Sequence, residues 1–293
     1  MDSNNNQMKF LPKDDNGHII NDTDPNKISA DFLPLISEVK NIIIDTLGNS
    51  LHSIYLTGSV PRGVAEINKS DLDVFAILNP GASDENTALK AINESIKKVL
   101  QATDVVSKVD IELWRFEEVF PDANSINEIQ IKNTLSIFDI ILKNSSLCSY
   151  GDDLSAHILP IKPDASLAND ELIMIHQDIA QARQEISKAT SEEEVKYWCK
   201  RVMKNIIRAG FCLCMPIIQE QTREITLCAD VFSKHYPDLK EFVRKTMYWI
   251  KSPSGNQQEV LKFLNDDVNL FLSKVDRWMD KYNPDRVKEM HRS

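Results

Sequence analysis

The chain lacks the features of a membrane or secreted protein. It has no apolar run near the roughly 20 residues that a membrane-spanning helix needs. The first residues, MDSNNNQMKF, have neither the basic start nor the apolar stretch of a secretory signal. The five cysteines form no C-x-x-C pair, and the six histidines form no H-E-x-x-H-like pair. We therefore expect a cytoplasmic protein with reduced thiols, no membrane partner, no disulfide framework and no zinc site.

Positive charge is also scarce. The sequence has 34 Lys and Arg against 44 Asp and Glu, which gives a formal net charge of −10. An acidic protein repels a phosphate backbone unless a local basic patch overrides the overall field, so the composition argues against nucleic acid as a partner. The same charge suits a cationic small molecule, although acidity is also common in cytoplasmic proteins simply because it favours solubility.

The apolar pattern divides the chain into three parts. Residues 1–26 are rich in Asn and Asp and predict a flexible N-terminal arm. Residues 27–155 alternate between helical and strand periodicity, which is typical of an α/β domain. Residues 164–293 are helical in pattern almost throughout. The predicted strands are 53–57, 71–78 and 105–114, and the predicted helices are 29–47, 84–101, 167–188, 191–218, 228–235, 239–251 and 257–281.

A candidate phosphate-binding turn follows the first strand. The strand SIYLT ends at Gly58-Ser59, after which we expect a brief helix. Ser59 is a suitable N-terminal cap, and Pro61 suits a first turn, where its missing N–H costs nothing. The free N–H groups at such a helix start bind phosphate oxygens, and Arg62 lies beside them as a possible partner for the same anion.

Acidic residues on the next two strands form a candidate metal site. Asp71 and Asp73 are two apart on a strand, so both project from one face. Close carboxylates repel one another, and a divalent ion such as Mg²⁺ relieves the repulsion. Asp110, on the following strand, is the candidate third ligand and base for an incoming hydroxyl, as phosphoryl-type transfer requires. Glu112 shares a face with Asp110 and is an alternative third acid.

The ordered set in TGSVPRGVAEINKSDLDVFAIL (57–78) resembles a known domain. Gly-Ser, a spacer, Asp-x-Asp and a third acid on a later strand form the pattern of the nucleotidyltransferase domain of the DNA polymerase β superfamily. The form GSVPRGVAEINKSDLD looks most like the bacterial branch, which holds minimal nucleotidyltransferases and aminoglycoside adenylyltransferases. CSYGDDL (148–154) also resembles the segment that often closes this domain. The resemblance covers about residues 30–155.

This resemblance implies a fold and a reaction. The fold would be an α/β (α+β) nucleotidyltransferase head with a mixed sheet, followed by an all-helical C-terminal bundle. Gly58 and Ser59 would hold the triphosphate of ATP or another NTP, and Asp71, Asp73 and Asp110 would bind Mg²⁺. The reaction would move a nucleoside monophosphate, AMP where ATP is the donor, to a hydroxyl of a small molecule or a protein.

The helical half carries one basic stripe. Lys196, Lys200, Lys204 and Arg208 lie four apart on one side of the predicted 191–218 helix. The stripe is either a positive wall facing the triphosphate or a solvated face opposite the core, and helix geometry alone leaves both open. Lys200, and Arg223 in the turn after the helix, are therefore candidate nucleotide contacts.

Three functional hypotheses remain at this point. The first is an adenylyltransferase that modifies a cationic, aminoglycoside-like small molecule. The second is an antitoxin or effector that adenylylates a protein. The third is a catalytically silent, nucleotide-binding regulatory module, and the presence of all three acids argues against it.

Overall fold

The computed structural model describes residues 10–82 and 85–292. The chain forms two compact units. The first, here called the sheet unit, comprises Ile20–Asn133 and Ile137–Ile161. The second, here called the helical unit, comprises the described parts of Met1–Ile19, Thr134–Ser136 and Lys162–Ser293. Within the described ranges, no helix is both long and apolar enough to cross a membrane.

The sheet unit is built on a mixed four-stranded sheet with the order β3-β2-β1-β4. Strand β2 runs parallel to β3, whereas β1 is antiparallel to both β2 and β4. The predicted α/β fold with a mixed sheet is therefore confirmed. The strands are β1 (Leu51–Thr57), β2 (Leu72–Leu78), β3 (Val109–Arg115) and β4 (Leu147–Tyr150), and the helices are α1 (Leu33–Leu47), α2 (Glu85–Leu100), α3 (Phe116–Val119) and α4 (Ile137–Asn144).

The two faces of the sheet pack into separate apolar clusters because side chains alternate along a strand. Leu72, Val74 and Ala76 belong to the cluster that includes residues of α1 and α2. Phe75 and Ile77, between them in sequence, belong to the other cluster. That second cluster contains a row of stacked rings, with centroids 4.9 Å apart for Tyr55 and Phe75 and 3.9 Å apart for Phe75 and Trp114. The alternation places Asp71 and Asp73 on this aromatic face.

The helical unit confirms the predicted C-terminal bundle. Its two longest helices begin at conventional caps: the Asp164 carboxylate accepts from Ser166 and Leu167 at the start of α5, and Ser191 and Glu194 form a capping box at the start of α6. The helices are α5 (Ala165–Lys188), α6 (Glu192–Ile218), α7 (Ile225–His235), α8 (Lys240–Lys251), α9 (Gln257–Lys262) and α10 (Asn269–Tyr282).

The single helix predicted over 257–281 is wrong, because a π-helical segment, Phe263–Asp267, separates α9 from α10. The Val268 N–H donates to the Phe263 carbonyl at 3.2 Å, a wider spacing than an α-helix uses. Arg183 Nε donates to the Leu264 carbonyl at 2.9 Å. The carbonyl therefore has a partner from α5, and a side chain that bonds into a helix ladder is a recognised cause of such interruptions.

Part of the predicted N-terminal arm is held in place. Leu11 donates its N–H to the Gln221 carbonyl at 2.7 Å, and Lys13 pairs with Glu220 at 2.8 Å. Lys13 also forms a β-bridge with Ile19, which is buried. Backbone pairing and one apolar anchor therefore connect residues 10–19 to the rest of the helical unit, whereas the predicted flexibility of the arm stays a prediction. Residues 1–9 lie outside the described residues, and the domain limits 1–26, 27–155 and 164–293 stay predictions.

Candidate active site

Three acids lie close together on the aromatic face of the sheet. Asp73 is on β2 and is the register partner of Asp110 on the parallel strand β3. Register partners project to the same side, so these two carboxylates are cross-strand neighbours. Asp71 immediately precedes β2 and shares the face of Asp73. On the other side of β2, Asp73 is paired with Thr57, the last residue of β1.

The position of Asp73 is electrostatically unfavourable for its own charge. Burial raises the pKa of its carboxyl above the ordinary value, and the negative charges of Asp110, Asp71 and Glu112 raise it further. The Lys108 ammonium acts in the opposite direction and lowers this pKa. A group of acids that disfavours its own charge in this way is a cation-binding candidate, because a bound cation removes the penalty.

Each of the other two acids has a partner just before β3. Lys108 Nζ forms an ion pair with the Asp110 carboxylate, and this contact raises the pKa of the Lys108 ammonium. The Ser107 hydroxyl lies 2.5 Å from Asp71 Oδ1. Sequence reasoning missed both partners. The only available signal was their place directly before the third acid in SKVD.

Glu112, the alternative third acid, is engaged elsewhere. Trp114 Nε1 donates to the Glu112 carboxylate at 3.0 Å, and the Trp114 ring stacks on Phe75. Glu112 is opposite Phe75 in the sheet, whereas Asp110 is opposite Asp73. The geometry therefore favours Asp110 over Glu112 as the partner of Asp73.

The loop after β1 contains one helical turn and no helix. Val64 donates its N–H to the Ser59 carbonyl and Gly63 donates to the Val60 carbonyl, both at 3.1 Å. Gly63 has a φ of +73°. These two hydrogen bonds and the left-handed glycine form a Schellman motif, which ends a helix. The brief helix predicted after Ser59 is therefore wrong, because Gly63 stops it after a single turn.

Gly58 brings this loop against the acids. Its φ is +79°, and a Cβ atom there would lie 2.2 Å from Asp73 Oδ2. The loop backbone therefore approaches the carboxylate more closely than any side chain at position 58 would allow. Within the loop, Arg62 Nε donates to the Gly58 carbonyl at 2.8 Å, so the guanidinium ties the turn together. Its predicted contact with phosphate stays a prediction.

Gly58→Ala is expected to lower kcat/KM for nucleotidyl transfer by about 10²-fold, because the methyl group displaces the Asp73 carboxylate and small misplacements of reacting groups are costly. Steady-state kinetics measure the loss. The matched control is Gly81→Ala, since Gly81 also has a positive φ of +74° but nothing within 4 Å of its Cβ position. Equal effects of the two substitutions on kcat/KM would show that backbone strain alone is responsible.

The remaining predicted nucleotide contacts belong to the helical unit. Lys200 is exposed on α6, and Arg223 is half-buried between α6 and α7. In the basic stripe, Lys196 pairs with Glu193 at 2.7 Å. Burial lowers the pKa of the Lys204 ammonium, and the charges of Lys200 and Arg208 lower it further. Their contacts with a nucleotide stay predictions.

The chemistry of the sheet-unit acids fits Mg²⁺. This ion commonly binds one or two carboxylates together with waters and substrate phosphates, rather than a cage made only of protein ligands. Asp73 and Asp110 offer such a pair, beside a loop that is a candidate for phosphate binding. In the part of the chain that the structure describes, no three Asp, Glu, His or Cys side chains form a complete metal-binding group.

Residues 36–132 match the family model of the nucleotidyltransferase domain. This segment contains β1, β2, β3 and the three acids. The match identifies this segment as a nucleotidyltransferase domain, in agreement with the predicted polymerase β-like domain, and supports the predicted enzyme class.

One solved structure similar to this chain is the crystal structure of spectinomycin adenyltransferase AAD(9) from Enterococcus faecialis with ATP and spectinomycin. Its sequence identity is 13%, its TM-score is 0.49, and the match covers 83% of this chain and 98% of that chain. No curated protein matches the chain. At so low an identity, the acceptor has to be inferred from this chain's own residues.

Proposed function

We propose that this enzyme transfers AMP from ATP, or another nucleoside monophosphate from its NTP, to a hydroxyl acceptor in a Mg²⁺-dependent reaction. One observation carries the proposal: Asp73 and Asp110 are register partners on parallel strands, and the Gly58 backbone packs directly on the Asp73 carboxylate. A candidate phosphate-binding loop and a candidate metal-binding pair therefore meet at one place. Nucleotidyl transfer needs both.

In the proposed reaction, the acceptor oxygen attacks the α-phosphorus, and the bond between the α-phosphorus and the pyrophosphate oxygen breaks. The proton of the acceptor hydroxyl passes to a carboxylate oxygen of Asp110. Backbone N–H groups of the Gly58-Ser59 loop orient the triphosphate. Asp71, Asp73 and Asp110 would hold Mg²⁺, which when bound neutralises developing charge on the phosphate oxygens. The Ser107 hydroxyl lies within hydrogen-bond distance of both Asp71 Oδ1 and the Lys69 carbonyl, so it can orient the Asp71 carboxylate.

The acceptor that best suits the chain is a cationic small molecule with a free hydroxyl. The net charge of −10 favours the approach of a cation and disfavours that of a nucleic acid. An aminoglycoside-like compound has this chemistry, and a protein hydroxyl is the alternative acceptor. We place the reaction in the cytoplasm, in keeping with cysteines at 148, 199, 212, 214 and 228 that are all free thiols.

The direct test uses the four NTPs, each labelled on the α-phosphate, with Mg²⁺, pooled aminoglycosides and a cell lysate. Transfer of label to a small molecule supports the proposal, whereas transfer to protein replaces the acceptor class. Metal-dependent NTP binding without any transfer would instead favour the regulatory-module hypothesis and contradict the proposed activity.

Two matched variants identify the third acid. Asp110→Asn is expected to lower kcat by about 10³-fold, because it removes the proposed base and a metal-ligand oxygen. Glu112→Gln is expected to lower kcat less than tenfold, since Glu112 already accepts from Trp114 Nε1. Steady-state kinetics of both variants check the assignment. The opposite ranking would transfer the role of third acid to Glu112.

A further inference from the structure

Lys108 is the cation closest to the three acids among the contacts of this site. It forms an ion pair with Asp110, and its charge also acts on Asp71 and Asp73. The side chain is nevertheless 62% exposed, and that of Asp110 is 43% exposed. Lys108 and Asp110 therefore form a solvent-exposed ion pair beside the other two acids.

We propose that Lys108 is a built-in counter-cation that competes with the divalent metal for the Asp110 carboxylate. This inference rests on the proposed metal site. When the metal binds, the Lys108 ammonium leaves Asp110 and moves into solvent. Before the metal binds, the ammonium is paired with Asp110, the carboxylate beside Asp73 in the sheet. It neutralises that carboxylate and thereby limits repulsion between the acids.

The exposure of the pair makes this exchange physically accessible. An exposed ion pair between a lysine and a carboxylate is weak, and a lysine side chain has four rotatable carbon–carbon bonds along which to withdraw. A divalent ion carries twice the charge in a smaller volume and therefore displaces the ammonium from a shared carboxylate. The ion pair between Lys108 and Asp110 therefore forms without metal and is weak enough for a divalent ion to replace it.

Ser107 provides the contrast within the same segment. Its backbone N–H donates to the Ser70 carbonyl at 3.1 Å, and the Leu72 N–H donates to the Lys108 carbonyl at 2.9 Å. The backbone of this segment is therefore tied to the start of β2, and the Ser107 hydroxyl reaches Asp71 from a fixed position. Within this segment, the exposed Lys108 side chain is therefore the group that can withdraw when the metal binds.

The experiment compares Mn²⁺ binding by the full chain without nucleotide, measured by electron paramagnetic resonance of the free ion. Lys108→Met, which keeps the aliphatic length and removes the charge, is expected to lower the Mn²⁺ Kd about fivefold. Lys108→Arg keeps a competing cation and is expected to stay within about twofold of wild type. The control is Lys69→Met, because Lys69 is exposed in the neighbouring turn and pairs with Glu66. Thermal unfolding checks that each variant is folded.

Asp73→Asn separates the possible outcomes. The inference is supported if Asp73→Asn weakens Mn²⁺ binding and if, of the three lysine variants, only Lys108→Met binds Mn²⁺ more tightly than wild type. Equal Kd values for Lys108→Met and Lys69→Met would overturn the competition while leaving the proposed metal site standing. Wild-type binding that Asp73→Asn does not weaken would overturn both the metal site and the role of Lys108.

Discussion

Asp73→Asn is expected to lower kcat/KM for nucleotidyl transfer by about 10³-fold or more, a loss of about 4 kcal/mol of transition-state stabilisation. Asp73 links three parts of the proposed site: it is the register partner of Asp110, its pKa is raised by the charge of Asp71, and its carboxylate lies against Gly58 in the loop. An amide keeps the shape of the side chain and removes its charge. Initial rates of transfer from α-labelled ATP measure the effect.

The same substitution is not expected to destabilise the fold. Burial and neighbouring acids raise the pKa of the Asp73 carboxyl, so its ionised form opposes folding at neutral pH. Removing the charge leaves the free energy of unfolding at pH 7 unchanged or raises it, as denaturant unfolding will show. Asp45→Asn, at an exposed position of α1, is the matched control and should retain full activity. Wild-type turnover by Asp73→Asn would remove Asp73 from the mechanism.

The shared face of Asp71 and Asp73 was predictable from the sequence because it depends on strand periodicity alone. Two Asp residues at a spacing of two must share a face, and a third acid in the next apolar run joins them if the two strands pair in register. The structure has that register, with Asp73 opposite Asp110. The partners of these acids depend on finer detail. Lys108 and Ser107 reach them only because the segment before β3 is tied to Ser70 and Leu72.

Elements that depend on contacts distant in sequence were missed or misread. Strand β4, Leu147–Tyr150, has only four residues and exists as an edge partner of β1. The π-helical segment interrupts a regular apolar stripe, and Arg183, which bonds to Leu264, lies 81 residues away in the chain. Local periodicity cannot indicate either feature, because both are determined by tertiary partners.

The helical unit is expected to lose stability as the pH rises from about 4.5 to 7, because of Glu171 on α5. Burial, the largest cause, raises the pKa of this carboxyl from its ordinary 4.5 to about 7, and although Arg208 opposes the shift, Asp170 and Asp178 add to it. In that window the folded chain holds a proton that the unfolded chain has lost, so stability falls with pH. At about 1.4 kcal/mol for each pH unit, the loss reaches about 3 kcal/mol above pH 7.

Glu171→Gln is expected to abolish most of this slope, because the amide is neutral at every pH. The variant should match wild type near pH 4.5 and exceed it by about 3 kcal/mol in the free energy of unfolding at pH 8. Denaturant titrations at several pH values measure the difference. A smaller slope should remain from Asp170, whose pKa burial raises to about 6.

Glu194→Gln is a control of opposite sign in the same unit. Hydrogen bonds from the Thr190 backbone and side chain lower the pKa of the Glu194 carboxyl, so its ionised form stabilises the cap of α6. That contribution is present at neutral pH and is lost as the pH falls through the folded pKa. The free energy of unfolding of the variant should therefore be lower than that of wild type at pH 8. If Glu171→Gln also had a lower free energy of unfolding than wild type at pH 8, ionised Glu171 would be a stabilising partner of Arg208. That result would disprove that burial is the main influence on the pKa of Glu171.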